Sequence, residues 1–584
     1  MALSALFRPL GAFTDQAVAS MQGRRSRRTW VGNGRAHIEV RGLSGPRADE
    51  VAAKLKARLE RLRGVHWAEV NVALGRVVVA IDSEEPDVGD LVEAVEAVEE
   101  ALGVHKERFA YDRPEHPADI EPLQRNLTAM AADVIGLGVS TSARVAHAVP
   151  IPGELASVAS FIDSQPRLRR LVSEALGPPV ADLALALGSA FAQALGQGPL
   201  GLVVDLAHRS AQLAEIVARR RVWAQREPEL HATPGRNRTE RALAAWGPIE
   251  RPRPIPPGPV ERWADRMSLA SLGAAGIAAA TTRQPRRAAS VTLAGMPKAG
   301  RLGREAFAAQ LGRVLAARGV VPFDPRSLRR LDRVDTVMVE AAALLTGNLV
   351  VGRIIPLDSS AQPAVLTGKV HRLYGGPEST TARRQGGWAL GPLEALEVTL
   401  PRGARAAAAR AARGCEVVLG LAHGGRLVAL VTVEAELDPL ADELVEAIRR
   451  AGHSFVVAGT RGAVAQRLHA DRRTAGGTRL RSAVQELQQE GRVVMLVAVH
   501  GGAGLRAADC GVGILSPGRP PPWGADLMCG PGLAAAHMIV GATTAAAHAS
   551  RRGAGLAAVG SAVGGVLAMS GPRAQAAQRA VLPV

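Results

Sequence analysis

Aromatic side chains are scarce: only 3% of the 584 residues are Phe, Trp or Tyr, although 47% are hydrophobic. The apolar content is therefore mostly Ala, Val and Leu, which builds packed helices or weakly hydrophobic membrane spans and does not choose between them. Cysteine is nearly absent. Cys415, Cys510 and Cys529 stand far apart with no C-x-x-C pair, which argues against a disulfide framework and a thiolate metal site. No aspartate occurs between Asp471 and Asp509. The start, M-A-L-S-A-L-F-R-P-L, is too short and wrongly flanked for a signal peptide, so no cleavable targeting segment is expected.

What is abundant is arginine. The formal charge is +17, a balance that suits an anionic membrane face or nucleic acid. The basic residues are scattered with no aromatic interleaving, so no nucleic-acid partner is expected. The length exceeds that of one compact domain, and several modules are expected.

Residues 35–104 alternate as strands at 35–40, 68–72 and 77–81 and amphipathic helices at 48–62 and 88–102. This β-α-β-β-α order predicts a ferredoxin-like unit. Uncharged stretches follow at 183–204, 267–282, 527–550 and 553–572, with a weaker one at 127–149. Most approach the roughly twenty residues that a bilayer span requires. The last two predict a helical hairpin split by Arg551-Arg552-Gly553, a basic turn suited to a cytoplasmic face. R-P-R-P-I-P-P-G-P-V at 251–260 is a proline-rich linker. Strands at 426–433, 454–458 and 493–499, with a helix at 439–451, predict a parallel sheet.

Residues 334–347 read V-D-T-V-M-V-E-A-A-A-L-L-T-G. They resemble the phosphorylation segment of P-type cation-transporting ATPases of the heavy-metal type, V-D-T-V-V-F-D-K-T-G-T-L-T. The family's nucleophilic aspartate falls on Glu340 and its lysine on Ala341, with Thr346 and Gly347 closing the segment. A strand-end carboxylate that attacks a phosphoryl group needs a fixed reach and a nearby cation. Glutamate adds a methylene and alanine supplies no charge, so Glu340 is expected to be inactive.

The resemblance extends along the chain. G-V-H-W-A-E-V-N-V-A-L-G-R-V-V-V-A-I-D at 64–82 is similar to the heavy-metal-associated domain, with Gly45 and Ala48 at its cysteine positions. A-G-M-P-K-A-G at 294–300 places Pro297 at the helix-unwinding proline of the ion path, flanked by Met296 and Lys298. Asp438 matches the hinge L-x-D-P, Gly459 and Thr460 stand at the T-G-D loop, and Asp509 holds register in the loop at 497–514. That loop lacks the family's two magnesium-binding aspartates, and its His500 reads as a surface loop residue. Only about fifty polar residues stand where the actuator domain belongs, without its T-G-E. In the nucleotide insertion, Gly375-Gly376 and Gly386-Gly387 read as turns.

The resemblance implies an α/β membrane protein. It would comprise an N-terminal tail (1–34), a ferredoxin-like domain without cysteine ligands (35–104) and Ala-rich transmembrane helices (120–208, 259–312). A linker (209–258) would replace most of the actuator. A haloacid-dehalogenase-like doubly wound domain with a reduced nucleotide-binding insertion (313–526) and a C-terminal helix pair (527–572) would complete it. It further implies a multi-pass protein of the bacterial plasma membrane, like the degenerate N-terminal half of long actinobacterial cation ATPases. The expected role is a pseudo-pump, scaffold or regulatory half, with an active P-type ATPase as partner. ATP and Mg enter only through the family, and no metal ligands are expected. An active transporter with a reworked site and a soluble basic binding protein are the competing expectations.

Overall fold

The computed structural model describes residues 27–82, 86–107, 109, 116–145, 199–231, 249–284, 290–291, 294, 299–357, 362–375, 381–412, 417–459, 462–500 and 502–570. The predicted ion-path residues Met296, Pro297 and Lys298, most of the stretch 183–204, Cys415 and Thr460 lie outside them.

The N-terminal unit has strands β1 (Thr29–Gly32), β2 (Arg35–Glu39), β3 (Val65–Asn71) and β4 (Arg76–Ile81), in sheet order β1-β2-β4-β3 with every pair antiparallel. Helices Ala48–Leu59 and Val88–Ala101 cover one face. Ala36 and Ile38 of β2 and Val77 and Val79 of β4 point to that face and pack on Val51, Leu55, Leu91 and Val95, as a period of two dictates. Strand β1 is absent from the sequence reading. Its signal was Asn33-Gly34, whose φ values of 55° and 69° form the tight turn of a two-residue hairpin.

Helices Glu121–Val145 and Pro199–Leu230 pack together, and Arg209 Nε meets Asp133 Oδ2 at 2.6 Å. The expectation of a linker from 209 onward is thus revised, because the helix runs unbroken to Leu230. The polarity that suggests a linker belongs to a helix rich in Ala, Glu and Arg, all good helix formers. Arg219 donates to the carbonyls of Pro322 and Phe323 at 2.6 and 2.7 Å, fastening this helix to the larger body.

That body contains β5 (Val321–Pro322), β6 (Thr336–Glu340), β7 (Leu345–Pro356), β8 (Arg383–Gln385), β9 (Trp388–Gly391), β10 (Val417–His423) and β11 (Arg426–Leu437). It continues with β12 (Ser454–Ala458), β13 (Arg472–Thr474), β14 (Val494–Ala498), β15 (Cys510–Ile514) and β16 (Leu527–Cys529). A seven-stranded sheet has the order β13-β12-β6-β14-β15-β16-β5, parallel except for the edge strand β5. Its central strands are continuous apolar runs buried on both faces, as parallel strands between helices must be. Strands β7-β11-β10-β9-β8 form a separate antiparallel sheet, with helices Pro363–Leu373 and Ala404–Ala411, inserted between β6 and β12.

The predicted C-terminal helical hairpin does not form. Residues 527–529 are strand β16, and Ala534–Met569 is one continuous helix. At 1.5 Å per residue its 36 residues extend about 54 Å. Arg551 and Arg552 are strong helix formers, and buried Gly553 lets helix Ala299–Ala317 approach: a Cβ on Gly303 would lie 3.7 Å from the Gly553 Cα. The first half of the helix buries Ala536, Ile539, Val540 and Ala546 in the core of the parallel sheet. The second half exposes Leu556, Val559, Val563 and Val566 and shares an apolar groove of about 800 Å³ with helix Pro259–Thr282. Among the described residues it is the one helix long and apolar enough to cross a membrane.

Candidate functional site

Strand β6 sits between β12 on one side and β14 on the other, so the sheet order reverses at β6. In such sheets ligands bind beyond the carboxyl ends of the strands at that reversal. Glu340 is the last residue of β6 and is buried there.

Its carboxylate is fully engaged. Oε2 accepts from the backbone N–H groups of Val499 and His500, both at 3.0 Å, and Oε1 lies 3.1 Å from His500 Nδ1. Arg519 donates to His500 Nε2. That contact makes Nε2 the acceptor and Nδ1 the protonated nitrogen facing Glu340. Burial alone would raise the Glu340 pKa. The hydrogen bond from His500, with the two backbone donors, outweighs it and holds the carboxyl below its ordinary range. His500 is therefore the direct partner of Glu340, which the sequence reading missed.

The ionised Glu340 consequently adds stability that is fully present above its unfolded pKa of about 4.3 and is lost as the pH falls through the lower folded pKa. Glu340→Gln is expected to cost about 1–2 kcal/mol at neutral pH, with the gap to the native protein closing below about pH 4. Urea unfolding of both proteins across that range checks this, and a gap that persists unchanged in acid would refute it.

The other sequence candidates do not converge on Glu340. Thr346 and Gly347 lie on β7, where Thr346 Oγ1 donates to Glu436 Oε2 at 2.6 Å. Asp438 accepts from the N–H of Leu440 at 2.9 Å in the turn before helix Ala441–Arg450 and serves the crossover between the two sheets. Asp509 precedes β15 and accepts from the N–H of Val494 at the start of β14, at 2.9 Å. It is also held by Arg251 Nε at 2.7 Å. Asp509 thus lies at the amino ends of the strands, about one strand length (~13 Å) from the Glu340 end, and its role is structural.

Gly459 does join the site. It follows β12 with φ of +148°, and a Cβ there would lie 3.0 Å from the Cβ of Ala341. Asp438 also reaches this end of the sheet, where its N–H donates to the Leu344 carbonyl at 2.9 Å, while the described residues that directly follow β14, Val499 and His500, carry no carboxylate. Magnesium needs hard carboxylate oxygens, and both oxygens of Glu340 are already engaged by Val499 and His500.

No family model matches the chain. It is 32% identical over 605 residues to a protein of Mycobacterium tuberculosis described as probable cation-transporting ATPase I, covering 93% of this chain and 36% of that protein. The Mycobacterium leprae protein of the same description is 30% identical over 617 residues, covering 95% of this chain and 37% of its own length. The chain therefore spans little more than a third of the curated relatives it matches. Among solved structures, a zinc-transporting PIB-type ATPase aligns at 15% identity over 59% of this chain and 66% of its own, with a TM-score of 0.36. That likeness is too slight to bear on the fold. Nearly the whole chain is thus similar to about a third of these mycobacterial proteins, each described as a probable cation-transporting ATPase.

Proposed function

We propose that this chain is a catalytically silent member of the P-type cation-transporting ATPase family, a pseudo-pump that acts as a scaffold or regulatory part of a cation transporter in the bacterial plasma membrane. The observation that carries the reading is the state of Glu340. At the position of the phosphorylated aspartate, both oxygens of a longer side chain are taken by Val499 and His500. Phosphoryl transfer requires a carboxylate oxygen placed for in-line attack, magnesium and a cation beside the γ-phosphate, and the contacts of Glu340 hold both of its oxygens against the loop after β14 instead. Ala341 replaces the lysine, and the loop that follows β14 carries His500 in place of the family's magnesium aspartates.

The three sheets support the finer fold assignments, a haloacid-dehalogenase-like domain with a reduced nucleotide-binding insertion and a ferredoxin-like N-terminal domain. In the latter, β1 takes the edge that a C-terminal strand would otherwise fill. The long helix Ala534–Met569 links the core of the parallel sheet to an apolar surface of the size a membrane would cover, so its two halves suit a protein anchored beside a working transporter.

Incubating the purified chain with labelled ATP and Mg²⁺ should give no acid-stable phosphoenzyme. Labelling that disappears in Glu340→Ala would overturn the proposal in favour of a working pump.

A further inference from the structure

A second buried polar cluster, made of none of the residues that surround Glu340, lies where the outer face of β2 meets helix Pro199–Leu230. His37, Glu227 and His231 are 0%, 0% and 3% exposed. Glu227 and His231 are one helical turn apart and share a face of the helix. His37 arrives from β2, 190 residues earlier in the chain than Glu227. Its Nε2 lies 3.1 Å from Glu227 Oε1, and His231 Nδ1 lies 3.4 Å from the same oxygen. One ligand atom from each residue falls within 4.8 Å of the others.

These separations match a metal centre. In a tetrahedral site with bonds of about 2.0–2.1 Å, adjacent ligand atoms stand about 3.4 Å apart. Two of the three edges have about this length. The surrounding groups orient the ligands as a metal's outer shell does. Arg35 Nη1 and Asn33 Nδ2 hold Glu227 Oε2 at 3.1 and 3.2 Å, which leaves Oε1 to face both imidazoles.

The polar contacts within the cluster point the same way. His37 Nε2 and His231 Nδ1 both face Glu227 Oε1, so two imidazoles converge on one buried carboxylate oxygen, and a cation between the three would satisfy all of them at once. Dryness is assured by aromatic walls: the Trp223 ring lies 5.6 Å from His37 and 4.6 Å from His116, and the Trp523 ring 5.0 Å from His231.

We propose that His37, Glu227 and His231 bind one divalent transition-metal ion of the zinc, cobalt or nickel class, which clamps the N-terminal four-stranded unit to helix Pro199–Leu230. Two imidazoles and one carboxylate select borderline metals over copper(I), which prefers thiolates, and over magnesium or calcium, which prefer all-oxygen shells. The site is unrelated to the cysteine positions occupied by Gly45 and Ala48. It arises from residues in which the sequence alone suggested no metal ligands, and it does not depend on whether the chain uses ATP.

The test uses the full-length protein, stripped with chelator and titrated with Co²⁺ alone. One equivalent should give visible d–d bands of a low-coordinate nitrogen–oxygen site, with quenching of tryptophan emission from the rings that wall the site. Zn²⁺ should displace the cobalt. His37→Ala and His231→Ala should each weaken binding tenfold or more, whereas Glu229→Gln, on the exposed side of the same helix, should not change it. Because either histidine variant could misfold, X-ray absorption of the wild-type cobalt complex provides an independent reading: two imidazole scatterers support the site. An oxygen-only shell, no saturable binding, or binding undiminished in both folded histidine variants would overturn the proposal.

Discussion

Replacing Asp119 by alanine is expected to loosen the N-terminal unit by about 3–5 kcal/mol, because it strands a buried arginine. Arg76, on β4, is 2% exposed, and its Nη2 donates to Asp119 Oδ1. Arg28 Nη1 reaches the other carboxylate oxygen at 3.1 Å. The Nη1 of Arg76 already lacks a hydrogen-bond partner, so Asp119 is what compensates this guanidinium among the polar contacts described. Without it the charge must be exposed by opening the unit or remain buried and uncompensated.

The companion variant separates charge from packing. Substituting both partners with apolar residues, as in Arg76→Met with Asp119→Leu, removes the two desolvated charges together and should recover most of the loss. Denaturant unfolding followed by tryptophan emission reads both proteins, since Trp30 and Trp67 lie in this unit. A cost below about 1 kcal/mol for Asp119→Ala, the value of a solvent-exposed pair, would show that the cluster is open to water.

The second large effect concerns the long helix. Ile539→Ala should destabilise the parallel-sheet domain by about 2–5 kcal/mol through a cavity in its core. Ile539 is fully buried there with Leu444, Ile448 and Val457. Val559, on the same helix more than five turns further on, is 64% exposed. Val559→Ala should change unfolding in detergent by no more than about 0.5 kcal/mol. The contrast tests whether one helix serves two environments. If the helix were instead a separate membrane span, both substitutions would leave the sheet domain's unfolding unchanged.

Much of the sheet architecture was legible locally. Strand Ser454–Ala458 and helix Val88–Ala101 fall where alternation and helical periodicity place them, because those patterns depend only on neighbours in the chain. The hairpin strand β1 was also legible in principle, through Asn33-Gly34. The errors came where composition was taken for structure. The charges at 209–230 and the Arg551-Arg552-Gly553 turn read as breaks, yet the first holds no proline or glycine before Pro228 in the last turn of its helix, and Gly553 is a buried packing position inside a continuous helix. Polarity marks which face is wet; it does not end a helix without proline, glycine or a cap.

The candidate site divides in the same way. The sequence by itself determined which side chains stand at the candidate site: a glutamate at 340, an alanine beside it at 341 and a histidine at 500, and no folding changes those identities. Only the tertiary structure decided what the remaining groups do. It turned His500 from a loop residue into the partner of Glu340, and it sent Asp509 to the opposite end of the strands. It also brought His37 onto Glu227 and His231. The reason is range. Chain periodicity reports a few residues in each direction, whereas a carboxylate's role is set by the donors that packing delivers to it, and Val499 reaches Glu340 from 159 residues away and His37 reaches Glu227 from 190.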